Sequence, residues 1–498
     1  MTASRLITGL LAVLAIALAL WRLEDARAGL VMEPLEVPGG PPATLIRLAD
    51  PGPAPVVVIA HGFAGSQQLM HAYAFTLARA GSLAVVFDFQ GHGRNPAPMQ
   101  GDITSIDGTT RLLMGEVAAV TAAARNLPWA DGRLAFLGHS MASDIVVRQA
   151  LEEPMPAATI AVSMFSEAVT AELPYNLLII VGQGEPGLRR EALRALRLVD
   201  AEAEGSETLG NPALGTGRKL VVAPWVEHVG VLYAPTALRA ARDWLDAVFL
   251  RDAATPPAAT GGWIVLLLGG IVALFWPLAS LLPTARAEPQ PGLSRMQLAI
   301  ALIVPGLIVP LVLRGVDPGV LPVLVADYLA LHLGLWGLLT LALLAWWGQV
   351  RALADPAGLL GGLVLAAFAL GVFGLALDRY AASFVPHGAR LAVIGGLALG
   401  AVPAMLADAL LTRGGRAGRL RVLAVRLALL VSLGLAVALD IERLFFLLII
   451  LPVIVLFFAV FGTMGGWVGR RAGPLAPGLG LGLVLAWSLG VTFPLIAA

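Results

Sequence analysis

The 498-residue chain contains no cysteine, which excludes disulfides, thiolate nucleophiles and cysteine-ligated zinc or iron–sulfur centres. Charge is also scarce: 13% of residues are Asp, Glu, Lys or Arg, against roughly a quarter in an ordinary soluble domain. With 58% hydrophobic residues, a purely soluble protein is excluded. Acidic and basic residues balance at 33 each, so there is no long-range field to gather nucleic acid, which is not an expected partner. Lysine occurs once, as Lys219, and the basic charge is carried by arginine. The abundance of Ala, Gly and Arg resembles a GC-rich bacterial composition and favours a bacterial envelope.

The apolar residues are unevenly spread, and the chain divides into two unlike halves. Arg5 precedes an apolar run from Leu6 to Leu20, followed by Trp21, Arg22, Glu24, Asp25 and Arg27. Residues 1–28 therefore read as a transmembrane signal anchor, or as a signal peptide, since Ala26-Arg27-Ala28 fits a small-residue cleavage pattern. Residues 29–252 carry short β-branched runs alternating with helical segments, the pattern of an α/β domain with a mostly parallel sheet. Residues 253–261 form a small, proline-containing linker.

From 262 to 498 the sequence predicts an all-α polytopic transmembrane domain. Apolar stretches near 262–283, 296–314, 320–347, 357–377, 389–411, 423–439, 442–462 and 476–496 approach or exceed the roughly 18–20 residues needed to cross a bilayer. The 320–347 stretch is long enough to hold a half-helix ahead of one span. Alternate loops carry Arg286 and Arg295, Arg351, the Arg413 to Arg421 group, and Arg470 with Arg471. These loops, with Arg5, should be cytoplasmic. The expectation is a bacterial inner-membrane protein whose α/β domain faces the periplasm or exterior. No family resemblance attaches to this half.

In parallel sheets the reactive side chains gather at the carboxyl ends of strands. The run Leu134 to Leu137 leads into Gly138-His139-Ser140-Met141-Ala142 and then a helical stretch, the context of a nucleophile elbow, in which a strained serine needs small neighbours. Ser140 is the candidate nucleophile. His61-Gly62-Phe63-Ala64-Gly65-Ser66 follows the run Val56 to Ala60, and Asp88-Phe89-Gln90-Gly91-His92-Gly93-Arg94 follows the run from Leu83. Together these segments resemble the α/β-hydrolase family over about residues 43 to 250, although Ala142 departs from the commonest G-x-S-x-G form.

The resemblance implies a serine hydrolase fold, with the backbone amides of Phe63 and Met141 as oxyanion donors and Asp88, His92 and His139 as scaffold. His228, on a loop after the run Leu220 to Val222, is third in the family's Ser, acid, His order and is the candidate base. Glu185 stands where the family usually carries its acid, and Glu167 is the alternative. With no metal or cofactor expected, such a set forms an acyl-enzyme through Ser140 and releases it to water. The expected partners are membrane lipids and an apolar ester substrate. Two other readings stay open: an envelope acyltransferase using the same residues, and a non-catalytic lipid-binding or transport protein.

Overall fold

The computed structural model describes residues 2–103, 105–205, 207–286, 292–316 and 318–497. The front half is built on one sheet of nine strands: β1 (Leu30–Leu35), β2 (Ala43–Leu48), β3 (Ala54–Ala60), β4 (Leu83–Phe87), β5 (Ala130–His139), β6 (Ala158–Val162), β7 (Leu177–Gly182), β8 (Thr208–Leu209) and β9 (Arg218–Ala223). Their order is β1-β2-β4-β3-β5-β6-β7-β9-β8. The central strands β4, β3, β5, β6, β7 and β9 are mutually parallel, and β1, β2 and β8 add antiparallel edges. These edges are faint in the sequence because β1 contains Pro34 and β8 has only two residues, as edge strands can.

Alternation along the strands feeds two cores. Val57 and Ile59 of β3 pack with Leu137, Ile160 and Ile180 on the face covered by α2 (His71–Arg79) and α6 (Pro235–Phe249). Val56 and Val58 turn to the other face, with Phe136, Val85 and residues of α3 (Arg111–Arg125) and α4 (Met141–Gln149). α5 (Pro186–Arg197) covers Ile179 and Val181 further along.

The remaining helices are α1 (Ala3–Asp25), ahead of the sheet, and α7 (Gly261–Ala279), α8 (Arg295–Val312), α9 (Ala326–Trp346), α10 (Pro356–Ala367), α11 (Gly374–Tyr380), α12 (Arg390–Leu411), α13 (Arg419–Leu439), the one-turn α14 (Ile441–Leu444), α15 (Leu447–Ala472) and α16 (Leu475–Thr492). A π-helical turn fuses α10 and α11 into one run, Pro356–Tyr380. Among the described residues, nine helices are long and apolar enough to cross a membrane, α1 included, which is compatible with a multi-pass membrane protein.

Local chemistry sets the helix ends. At α8, Ser294 Oγ accepts the Gln297 amide (3.1 Å) while Gln297 Oε1 accepts the Ser294 amide (2.9 Å), a reciprocal cap. The 320–347 stretch contributes one span and no half-helix. Before α9 the chain is non-helical because the Asp327 carboxylate accepts the amides of Val320 (2.9 Å) and Leu321 (3.0 Å). α15 runs beyond the apolar stretch that announces it, because Arg470 and Arg471 reach carbonyls of neighbouring loops, Gly415 at 3.0 Å and Leu282 at 2.7 Å.

The two halves meet along the turns after β3 and β4. Arg94 pairs with Asp378 (2.6 Å), the Ser383 amide donates to Ser66 Oγ (3.0 Å), and Arg390 donates to the carbonyl of Gly91 (2.7 Å). The same carbonyl accepts the Leu495 amide (2.9 Å), and Met99 then pairs with the C-terminal segment. Gly91 has φ 76°, and a Cβ there would lie 2.4 Å from the Leu495 carbonyl oxygen, so only glycine suits the joint.

Arg390 is buried and also donates to the carbonyls of Gly490 (3.0 Å) and Phe493 (2.8 Å). Replacing it by methionine takes the donor from the carbonyls of Gly490 and Phe493, leaves Gly91 only the Leu495 amide, and should cost about 2–3 kcal/mol, read as a lowered melting temperature with earlier proteolysis of the C-terminal segment. An unchanged melting profile would contradict this role.

Glu116 of α3 braces the same turn, accepting the Gln90 amide (2.9 Å) and Asn95 Nδ2 (3.3 Å). Burial pushes its carboxyl up to about 7 from an ordinary 4.5, the two hydrogen bonds opposing only in part. A raised acid favours the folded state while protonated, so its contribution is full below pH 4.5 and fades as pH rises to about 7. Glu116→Gln should flatten the pH dependence of stability across that window.

Candidate active site

The sheet reverses its winding beside β3: the chain passes from β3 outward to β4, then crosses to β5 on the other side. Such a reversal opens a crevice at the carboxyl ends of the two strands. β5 ends at His139 and α4 begins at Met141, leaving Ser140 alone in the turn with φ 55° and ψ −120°. A non-glycine residue held there costs about 1–3 kcal/mol. The surroundings hold it in place: the Ser140 amide donates to the Val162 carbonyl (2.9 Å), and the Ser143 amide donates to the Ser140 carbonyl (2.8 Å). A Cβ on Gly138 would come within 2.3 Å of the Ala142 carbonyl oxygen, so close packing of strand and helix requires glycine at that position.

His228 lies on the loop after β9. Its Nε2 is 2.8 Å from Ser140 Oγ and its Nδ1 is 2.5 Å from Glu185 Oε1. Glu185 stands at the N-cap position of α5, and its other oxygen accepts the Gly182 amide (2.7 Å) and the Ser163 hydroxyl (2.8 Å). Burial opposes ionisation of this carboxyl, but the bonds from His228, Gly182 and Ser163 outweigh it and hold Glu185 below the usual carboxylate range. An ionised acid can only accept, so Nδ1 carries the imidazole proton and Nε2 is free to accept from Ser140.

Neighbouring groups hold the histidine loop. His139 Nε2 donates to the His228 carbonyl (2.9 Å), and Glu227 accepts the amides of Val229 (2.9 Å) and Gly230 (2.8 Å). Burial, then the nearby His228 ring, pushes His139 down to about 4, so it stays neutral at working pH. Beside Ser140, the Gly62 backbone packs so closely that a Cβ there would lie 2.9 Å from the Ser140 Cβ. This brings the turn bearing Phe63 against the serine. Among the described residues, the amides of Phe63 and Met141 donate to no acceptor in the protein.

The other singled-out groups have structural partners. Asp88 accepts the Gln67 amide (2.8 Å), Gln67 Nε2 (3.0 Å) and the Arg94 amide (3.0 Å), and His92 Nδ1 donates to the Gln90 carbonyl (2.9 Å). Glu167 is exposed, with its charge near Arg194, and among the described residues it makes no hydrogen bond to His228. Among the described residues no cluster of three or more His, Asp or Glu side chains could hold a metal ion. Two contributors carry no motif of their own. Ser163 (φ 54°) is visible only as the hydroxyl residue next after β6, and Glu227 only as the neighbour of His228.

Residues 51–179 match the family model described as "Serine aminopeptidase, S33". The globular half has an α/β-hydrolase-like fold. No curated protein matches the sequence. Among solved structures, a CIB-like hydrolase from Thermoplasma acidophilum is 16% identical over 43% of this chain and 97% of its own, with a TM-score of 0.33. An esterase/lipase from an uncultured bacterium is 15% identical over 45% and 85%, with a TM-score of 0.32. A dienelactone hydrolase from Anabaena variabilis is 18% identical over 44% and 96%, with a TM-score of 0.31.

The helical half lies against the hydrolase domain on the side of this crevice. The Phe63 ring packs on Phe446, just ahead of α15, with centroids 5.3 Å apart, and Ala64 and Tyr233 join the core of the helical half. Elsewhere around the same strand ends, Phe165 (61%), Trp225 (91%) and Val229 (49%) are exposed.

The bonding predicts a graded response in hydrolysis of a short p-nitrophenyl ester. Glu185→Gln, which places an amide donor among groups that already donate, should lower kcat/KM by about a thousandfold or more. Ser163→Ala should cost about fivefold, the equivalent of one hydrogen bond of roughly 1 kcal/mol. Equal damage from both variants would contradict the scheme.

Proposed function

We propose that this protein is a membrane-embedded serine hydrolase that cleaves a carboxylic ester of a lipid or other apolar acyl compound. The observation that carries the reading is the unbroken bonding from Ser140 through His228 to Glu185. In this scheme His228 Nε2 takes the Ser140 proton as the hydroxyl oxygen attacks the ester carbonyl. The negative charge on the tetrahedral oxygen falls to the amides of Phe63 and Met141, donors of a kind worth about 3–4 kcal/mol each. His228, now cationic and stabilised by Glu185, returns its proton to the departing alkoxide, leaving an acyl-enzyme. Water, deprotonated by the same imidazole, releases the acid and restores the serine.

Placement and surface support an apolar substrate. Exposed Phe165, Trp225 and Val229 follow the carboxyl ends of β6 and β9 on the side of the sheet that bears Ser140, an apolar rim suited to an apolar acyl group. The chain from Phe165 to Asn176 between β6 and β7 is too short for a lid domain, so the helical half takes the place of one. The arginine-rich loops lie at the helix ends away from the hydrolase domain, and by the positive-inside rule that domain faces the periplasm or exterior of a bacterial inner membrane.

One experiment tests activity and orientation together. A membrane-impermeant fluorophosphonate applied to intact spheroplasts should label the wild-type protein and leave Ser140→Ala unlabelled, and turnover by purified Ser140→Ala should fall by about a thousandfold or more. Labelling only after lysis would reverse the orientation. Undiminished labelling of Ser140→Ala would remove the nucleophile.

A further inference from the structure

At the end of the helical half away from Ser140, a cleft of about 730 Å³ opens between α13 and α15. This is within the size range of a small-molecule site. One face of α13 lines it, from Arg419 through Leu423, Arg426 and Leu427 to Leu430. At 1.5 Å per residue that wall is about 16 Å deep, or about half the thickness of a bilayer core. The facing side of α15 offers Ala459, Gly462, Thr463 and Gly466, small residues of the kind that usually let two membrane helices close together. Here the helices stand apart, and Ala459, Thr463 and Leu427 are exposed in the gap.

Charge in the cleft is one-sided: the guanidiniums of Arg419, Arg426 and Arg470 meet a single carboxylate, Asp408. Arg426 lies over Gly462, with the Phe458 ring centroid 4.6 Å from its guanidinium carbon. Its ion pair with Asp408 spans 3.7 Å, too long for a direct hydrogen bond. Asp408 is only 4% exposed, yet its Oδ1 has no hydrogen-bond partner, and neither has Arg426 Nε. Buried polar atoms left this way call for a further partner, and the polar part of a ligand in the cleft would supply one. Arg470, one helical turn further out, lies over Gly466 and donates to the Gly415 carbonyl.

We infer that this cleft binds an acyl lipid with an anionic head, the head against Arg419 and Arg470, the polar neck against Arg426 and Asp408, and the chain between α13 and α15. A phosphate or a carboxylate satisfies guanidiniums in the same way, so a phospholipid of that leaflet and a free fatty acid share the required chemistry. The site is separate from Ser140, and its occupancy is read without any turnover.

The test is native mass spectrometry of the purified full-length protein in micelles doped with dioleoylphosphatidylglycerol, dioleoylphosphatidylcholine or oleate. Wild type should retain phosphatidylglycerol over phosphatidylcholine by about tenfold, and Arg426→Gln combined with Arg470→Gln should lose that preference. Ala459→Trp, at an exposed position, should displace the lipid sterically while leaving the melting temperature unchanged, and it decides the matter should the double variant fail to fold. Retention of oleate but not phosphatidylglycerol, with the same dependence on these residues, supports the site and names the fatty acid as its source. Equal retention of both phospholipids, retention unaffected by Ala459→Trp, or binding of neither anionic lipid would overturn it.

Discussion

The carbonyl of Gly91 accepts from the guanidinium of Arg390 at 2.7 Å and from the amide of Leu495 at 2.9 Å. Around this atom the turn after β4, the first residue of α12 and the C-terminal segment are fastened together. Because β3, β4, β5, β6, β7 and β9 are parallel, fixing the turn after β4 against the helices fixes the carboxyl ends of the others on the same side. The crevice bearing Ser140 must therefore open toward the helical half. A hydrolase domain joined only through its linker would have no such orientation. The contact of Phe63 with Phe446 shows how near the two come, since the residue on that ring's backbone is the proposed oxyanion donor.

Strain and polarity at the site are tolerated for related reasons. Ser140 sits at φ 55° because backbone bonds on both sides over-determine the turn, and the unfavourable torsion points the hydroxyl out of the sheet toward His228. Glu185 is buried, which by itself would favour its neutral form. Three donors converge on its two oxygens, and their combined effect exceeds the loss of hydration. Ser163 thus belongs with the proposed triad in energetic terms, although it touches neither His228 nor the serine.

The sequence exposed these features unequally, for physical reasons. The inner strands were legible because two-sided burial demands continuous apolar, β-branched runs, and Ser140 because an elbow needs glycine and small neighbours at fixed spacing. His228 followed from chain order. The acid could be ranked by position but not secured, since what separates Glu185 from Glu167 is tertiary: one carboxylate is enclosed by Gly182, Ser163 and His228, the other is exposed. Arg390 is one more loop charge in the sequence, yet it is a buried bracket for three carbonyls from two segments. Asp378, near the end of the apolar run Pro356–Tyr380, holds Arg94 from the far half of the chain. Neither role has a local signature, because each partner lies about a hundred residues or more away.

The two ends of the helical half differ in how arginine is held, and this sharpens the charge asymmetry beyond a count of residues. At the hydrolase end, Arg94 pairs with Asp378, Arg379 with Glu24 and Arg443 with Asp440. These carboxylate pairs cancel charge locally; Arg390, at the same end, is the exception, buried and held by carbonyls. At the other end, Arg416 reaches the Arg470 carbonyl, Arg470 the Gly415 carbonyl, Arg421 the Leu411 carbonyl and Arg471 the Leu282 carbonyl. A carbonyl satisfies a guanidinium's donors without removing its charge, and two of these carbonyls, those of Leu411 and Arg470, lie at helix C-termini, where a cation is favoured in any case. That end therefore keeps its positive field while remaining well bonded. The proposed orientation and the proposed lipid site draw on the same field: one uses it to keep these loops on one side of a membrane, the other to bring an anionic head to the mouth of the cleft between α13 and α15.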